Sequence, residues 1–239
     1  MSYYKYFNLE DKNFYKNINN LLAFNQIYLA KLSLQNDLFE GAYFEGDLLD
    51  LTATKRAFKK SEIARKINSY RIYCFSKTNT NLALWSHYAK IHTGICIKFN
   101  LPKSTNSFTI RPIKYVLKKP RLDETCIENI LKYKYSDWKY EREHRIIINE
   151  KSLPKSNLLN LGPGKITEIY LGKKIKLNDA ILIFNKCKEY DVKCFYAKNI
   201  NSKFKIEFKE ILSIKDLNSI DTESPFRSLI EILKANSNN

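Results

Sequence analysis

Every histidine and every tryptophan of this chain falls in one of two short stretches. Trp85-Ser86-His87-Tyr88-Ala89-Lys90-Ile91-His92 holds two of the three histidines and one of the two tryptophans. Trp138-Lys139-Tyr140-Glu141-Arg142-Glu143-His144-Arg145 holds the others. Imidazoles and carboxylates transfer protons and guanidinium groups recognise anions, while an indole beside them supplies a large apolar wall. The pattern points either to one composite site or to one buried polar network. Glu141 and Glu143 are two positions apart, so in a strand they share a side. Neighbouring carboxylates repel, which raises one proton affinity and suits that group to acid or base work. The plainer alternative is that Arg142 and Arg145 neutralise them in an ion-paired network. His87 and His92 lie five apart, with no further ligand at a recognised metal spacing, so no metal is expected. The plainer role for His87 is a hydrogen bond between helix and strand, packed by Trp85 and Tyr88.

The elements that must position these residues read as α+β, a mixed or split β-sheet flanked by helices. Strand character marks Tyr3 to Phe7, Gln26 to Leu29, Tyr70 to Ser76, Ile95 to Phe99, Ile110 to Val116, Glu143 to Asn149, Ile166 to Leu171, Asp191 to Tyr196 and Phe204 to Leu212. Helical spacing marks a segment capped by Asn8 or Asp11, Asp47 to Ile67, Leu82 to Ile91, Asp123 to Tyr135 and Asn178 to Glu189. Gly94 is expected to end the Leu82 helix. Roughly six to eight strands and three to five helices follow. The simplest organisation is one domain over residues 1–216, followed by a C-terminal extension, 217–239, with a short helix at Phe226 to Leu233. In this arrangement residues near 5, 76, 87 and 143 meet at one pocket rim, with loops 31–45 and 100–122 as its covers.

Forty-one basic against 25 acidic residues give a net charge of +16, a field that favours acidic partners. Between Ile97 and Leu122 the basic residues Lys98, Lys103, Arg111, Lys114, Lys118, Lys119 and Arg121 meet no acidic one. That segment is either a solvated surface or a face that binds nucleic-acid phosphates. No phosphate-loop, dinucleotide or zinc-finger signature accompanies it. The cysteines, Cys74, Cys96, Cys126, Cys187 and Cys194, are odd in number and lack paired spacing, which argues against a disulfide framework. The N-terminus lacks the pattern of a signal peptide and no long apolar run is present, so a cytoplasmic protein without a membrane partner is expected.

An ordered series of segments carries a resemblance. It comprises Tyr3-Tyr4-Lys5-Tyr6, Gln35-Asn36-Asp37-Leu38-Phe39-Glu40-Gly41, Cys74-Phe75-Ser76, Leu84-Trp85-Ser86-His87-Tyr88-Ala89, His92 to Phe99, Trp138 to Arg145, and Ile169-Tyr170-Leu171-Gly172. It resembles an uncharacterised bacterial family, the domain of unknown function number twenty-nine seventy-one, although Leu38 replaces that loop's proline. The motif order also resembles transferases that move ADP-ribose from NAD. That resemblance implies a split α+β sheet with NAD as substrate. It implies that Ser76 orients the nicotinamide ribose and Glu143 stabilises the oxocarbenium-like centre. Glu141 positions the acceptor, and Lys5 stands where an arginine or histidine is expected. His87 joins Ser76, Glu141 and Glu143 as a candidate catalytic residue. Lys5, Tyr6, Asp37, Glu40, Trp85, Tyr88, His92 and Arg145 are the candidate ligand-binding residues, for NAD or another phosphorylated ligand. The activity so implied is ADP-ribosyl transfer or NAD cleavage, with a role in conflict or phage defence. Two other readings stand beside it. One is a non-catalytic nucleic-acid-associated protein, and the other is a regulatory or toxin-associated scaffold that contacts an acidic protein.

Overall fold

The computed structural model describes residues 1–122, 127–200 and 203–217. They form two compact units. The first comprises Met1–Tyr4, Lys16–Thr78 and Asn100–Lys165; the second comprises Lys5–Tyr15, Asn79–Phe99 and the described residues from Ile166 onward. In chain order the elements begin with β1 (Ser2–Phe7), α1 (Phe14–Phe24), β2 (Gln26–Tyr28), β3 (Ala30–Lys31), α2 (Ala53–Asn68), β4 (Tyr70–Phe75), α3 (Leu82–Tyr88) and β5 (Ile95–Asn100). There follow β6 (Ile110–Pro112), β7 (Lys114–Val116), β8 (Tyr133–Tyr135), β9 (His144–Asn149), β10 (Leu158–Asn160) and β11 (Lys165–Leu171). The last are α4 (Leu177–Glu189), β12 (Lys193–Ile200) and β13 (Lys203–Glu210). The fold is mixed α+β, with helices flanking a split sheet. Among the described residues the strands exceed the expected number because several are pieces of two or three residues.

The first unit is built on an antiparallel sheet of order β3-β4-β9-β6. Strands β4 and β9 pair from Tyr70 opposite Asn149 to Phe75 opposite His144, which sets Cys74 across from Arg145. Two small pairs, β2 with β10 and β7 with β8, complete the unit's strands. Helix α2 starts where the Thr52 side chain accepts a hydrogen bond from the Lys55 N–H, and Arg65 and Lys66 complement its C-terminal dipole. It buries Ile63 and Ile67 against Leu32, Leu48, Ile72, Ile127, Ile130 and Leu131. Gly41, at φ +73°, turns the chain beside this cluster, where a Cβ would lie 2.7 Å from Leu32.

The second unit carries a mixed sheet of order β1-β5-β11-β12-β13, to which β1 contributes Lys5–Phe7. Strands β11 and β12 are parallel and joined through α4, while β13 returns antiparallel to β12. The helix buries Ala180, Ile183, Phe184 and Cys187, the i, i+3, i+4, i+7 stripe that its sequence spells. Strand β5 is buried at every position from Ile95 to Phe99 except Lys98. A strand covered on both faces reads as a near-continuous apolar run, and this one does.

Four sequence expectations are corrected. The Asp47 to Ile67 helix begins only at Ala53, after a 3-10 turn at Glu45–Leu48, because Thr52 caps it. The expected Ile110 to Val116 strand is two strands in different sheets, with Pro112 at the end of the first; proline has no N–H with which to continue the ladder. Residues Ile127–Lys132 are a 3-10 turn and Tyr133–Tyr135 is strand β8, where one α-helix was expected; 123–126 lie outside the described residues. Gly94 does not end α3. The helix stops at Tyr88, and Lys90, Ile91 and His92 each turn left-handed at φ 44°, 51° and 69°. Gly94 is required instead because a Cβ there would lie 2.1 Å from the Phe7 carbonyl oxygen. The expected helix at Phe226 to Leu233 lies outside the described residues. Among the described residues no helix is long and apolar enough to cross a membrane.

Candidate functional site

The second histidine–tryptophan cluster sits in the first unit and is an ion network. A 3-10 turn, Ser136–Glu141, ends at Arg142, whose left-handed φ of 49° reverses the chain before β9. In a strand Glu141 and Glu143 would share one side, and in an extended loop they could converge. They converge through this turn, and both are buried. The Lys134 ammonium lies 2.6 Å from Glu141 and 3.1 Å from Glu143. Arg145 is fully buried, with Nε 2.6 Å from Glu143 Oε1 and Nη1 2.5 Å from Glu40 Oε1. Arg145 Nη1 also donates to the Leu131 carbonyl at 3.0 Å, and the Glu143 N–H donates to the Tyr115 hydroxyl at 2.7 Å. Two cations thus face three carboxylates, a balance of −1.

Burial and pairing oppose each other at every member of this network. Burial alone raises the Glu143 carboxyl, but Arg145, then Lys134 and the Cys74 thiol, outweigh it and hold the group well below the usual carboxylate range. Burial lowers Lys134, yet Glu143 and Glu141 keep its ammonium above the ordinary lysine value. Arg145 is likewise raised against its burial by Glu143, Cys74 and Glu40. Burial pushes the Tyr115 hydroxyl up to about 12.

Ser76 belongs to the same constellation. Its hydroxyl donates to the Glu141 carbonyl at 2.7 Å, and its backbone pairs with Tyr4 just past the end of β4. The Gln35–Gly41 loop reaches in with Glu40 and with Gln35, which accepts a hydrogen bond from the Cys74 thiol at 3.7 Å. Asp37 is buried. One of its carboxylate oxygens accepts the Phe39 N–H at 2.9 Å, while Oδ2 has no partner among the described residues. The segments around the network also enclose a cavity of about 350 Å³. Its walls are Phe39 and Ala42, the run Val116-Leu117-Lys118-Lys119-Pro120, and strand β8, Tyr133-Lys134-Tyr135. The Lys119 ammonium stands 5.8 Å over the Phe39 ring, and Lys134 lies 4.7 Å over Trp138.

In the second unit, the first cluster is apolar. Trp85 is completely buried; its Nε1–H donates to the Asn79 carbonyl at 2.7 Å. Tyr6 meets it edge-on at 5.2 Å and His92 lies parallel to it at 6.3 Å. Ser86 Oγ is 3.3 Å from His92 Nε2, and burial, then Lys174, lowers the His92 pKa. His87 is exposed and set edge-on to Tyr88 at 6.4 Å. Lys5 and His87 belong to this unit, Ser76 and Glu143 to the first.

The basic stretch divides as well. Lys98 pairs with Glu168 at 2.6 Å in the second unit, while Lys103, Arg111, Lys114, Lys118, Lys119 and Arg121 are exposed in the first. Of these, Lys118 and Lys119 line the cavity, and Lys114 lies 5.8 Å over the Tyr133 ring. Sequence reasoning missed Lys134, Tyr115, Tyr133 and Tyr135. The alternation Tyr-Lys-Tyr in β8 would have found Tyr133, Lys134 and Tyr135 as strand residues, but a helical reading of that segment concealed it. No protein-family model, curated protein or solved structure matches the chain.

Proposed function

We propose that the first unit binds a phosphorylated ligand bearing an aromatic ring, of the nucleotide class, in the cavity between β7, β8 and the Phe39–Ala42 turn. The observation that carries this reading is the composition of one cavity. Lys118 and Lys119 offer cations to the same cavity that Phe39, Tyr133 and Tyr135 line with aromatic rings. Its volume of about 350 Å³ falls in the ~300–1,000 Å³ range of small-molecule sites. Rings stack on tyrosine and phenylalanine, and ammonium groups hold phosphate oxygens. The buried network behind β8 fixes Lys134 and hence the strand carrying Tyr133 and Tyr135. Titration calorimetry with AMP and NAD tests the reading. Binding should weaken as salt rises, and Lys118→Ala/Lys119→Ala should weaken it by about tenfold, the size of one charge-assisted contact. Absence of binding by the folded protein to either ligand would reject it.

A second reading, NAD cleavage with or without transfer of ADP-ribose, is favoured by one contact. The Ser76 hydroxyl bonded to the Glu141 carbonyl ties together two of the residues that such chemistry assigns, and Lys134 links Glu141 to the third, Glu143. A carboxylate held ionised, as Glu143 is, suits stabilisation of a developing oxocarbenium ion. The protein incubated with NAD would then release nicotinamide, and Glu143→Gln would abolish release even after correction for the fraction that stays folded. No nicotinamide release from the unaltered protein rejects this second reading alone.

A further inference from the structure

We infer, resting on the nucleotide-binding reading, that the cavity takes a single terminal nucleotide unit, ring inward and one phosphate at the rim. Phosphates beyond the first are not recognised. Three cationic residues line the cavity, but one of them is already engaged. The Lys134 ammonium lies against Glu141, Glu143 and the Trp138 face, and its side chain is 4% exposed. The network to which it belongs carries a balance of −1 among the described residues. It therefore offers an incoming anion no net attraction.

The remaining cations, Lys118 and Lys119, are both exposed, as are Leu117 and Phe39 beside them. With Tyr135, also exposed, they make the rim. The less exposed walls, Ala42, Val116, Pro120 and Tyr133, are apolar or aromatic. An amphipathic ligand satisfies both zones only with its ring against Tyr133 and its phosphate at Lys118 and Lys119. Any second or third phosphate then projects into solvent, where screening leaves little attraction. The cavity's volume lies near the lower end of the range for ligand sites, which suits one nucleotide better than two. Because the phosphate faces out, the same chemistry is met by a free mononucleotide or by the last nucleotide of a single strand.

Calorimetric titration of the full chain with adenosine, AMP, ADP, ATP and a single-stranded DNA hexamer tests the inference. AMP should bind about tenfold more tightly than adenosine, whereas AMP, ADP and ATP should agree within about threefold. Lys118→Ala/Lys119→Ala, on exposed side chains, should remove the preference for AMP over adenosine. A hexamer that matches AMP assigns the site to strand ends, and a hexamer that fails to bind assigns it to free nucleotides; either result sustains the inference. A tenfold gain with each added phosphate overturns it while sparing the nucleotide-binding reading, whereas equal affinity for adenosine and AMP overturns both. Failure of every nucleotide to bind sinks both.

Discussion

In the first unit, five ionised side chains share a space closed to water; in the second, an indole holds the corresponding central place among aromatic rings. Glu40, Arg145, Glu143, Lys134 and Glu141 are nearly or fully buried. Trp85 is completely buried among Tyr6, His92 and Phe208. Both arrangements fix loops, but they differ in energetics. Dispersion and apolar burial around Trp85 tolerate imprecise geometry and do not depend on ionisation. A buried ion network stabilises only when each charge is matched, since the desolvation penalty is comparable to the attraction. The first unit therefore fixes Lys134, Glu143 and strand β8 in one arrangement, at the risk of large losses when one member is removed. The second can lose a ring contact more gradually.

The largest expected effects are on these two centres. Arg145→Met leaves Glu40 buried without its cation and Glu143 with Lys134 alone, and should destabilise the protein by about 3–5 kcal/mol. Trp85→Ala opens a cavity and removes the Asn79 hydrogen bond, for a cost again of roughly 3–5 kcal/mol. Denaturant unfolding followed by circular dichroism measures both variants, and because each unit contains one tryptophan, Trp85 or Trp138, Trp138 fluorescence in a Trp85→Phe background also follows Arg145→Met in the first unit. The distinction lies in compensation. Combining Arg145→Met with Glu143→Gln and Glu40→Gln should recover part of the loss, because neutral partners no longer need a cation. A triple variant no more stable than Arg145→Met would contradict the electrostatic account of the first unit.

Smaller effects concern pH. Each unit holds a histidine lowered chiefly by burial, His144 in the first and His92 in the second. A depressed histidine contributes stability that is full above its ordinary value of 6.5 and lost as pH falls through its folded value. Both units should weaken modestly below that point. The first should then lose more, because Glu143 is depressed from 4.5 and its contribution is lost as pH falls below that value toward the folded pKa. At the alkaline end the sign reverses. Lys134 is raised above 10.5, so its contribution is full below 10.5 and is lost as pH climbs through the folded value. Glu143→Gln should flatten the acid limb reported by Trp138 and leave the Trp85 report unchanged. An acid limb that persists in Glu143→Gln would show that other groups control it.

Much of this contrast is legible in the sequence, but unevenly. Strands β4, β5, β9 and β11 follow from continuous or alternating apolar residues, and α4 from its spaced stripe. The ion network is half visible. Glu141, Glu143 and Arg145 announce themselves by adjacency, whereas Lys134 looks like any other lysine in a lysine-rich chain. Its burial depends on β8, whose alternation is three residues long and follows a 3-10 turn that imitates a helix. The convergence of Glu141 and Glu143 depends on one left-handed residue, Arg142, and a non-glycine in that conformation leaves no compositional mark. The same holds for Lys90, Ile91 and His92, where glycine at position 94 suggested a helix end that lies elsewhere. Lys118 and Lys119 belong to a basic run recognised from the sequence, but the run's division between two units is a tertiary fact.

The smallest expected effect sharpens the comparison at the tryptophans, which composition alone treats as alike. Trp85 is fully buried, but Trp138 is half-buried and lies over an ammonium. Its contribution is a cation–π contact with Lys134 at 4.7 Å together with cover for the two carboxylates beside it. Trp138→Ala should therefore cost only about 0.5–2 kcal/mol, the range of a partly desolvated cation–π pair. Trp138→Phe keeps an aromatic face and should recover a large share of that loss, whereas Trp138→Leu keeps apolar bulk without the quadrupole and should recover less. Thermal and denaturant unfolding of the three variants, read against Trp85→Ala, measures the difference. If Trp138→Ala proves as damaging as Trp85→Ala and leucine rescues it as well as phenylalanine, both indoles are apolar anchors. The first unit would then rest on its hydrophobic cluster around Ile72 and Leu131, with the ion network a passenger on it.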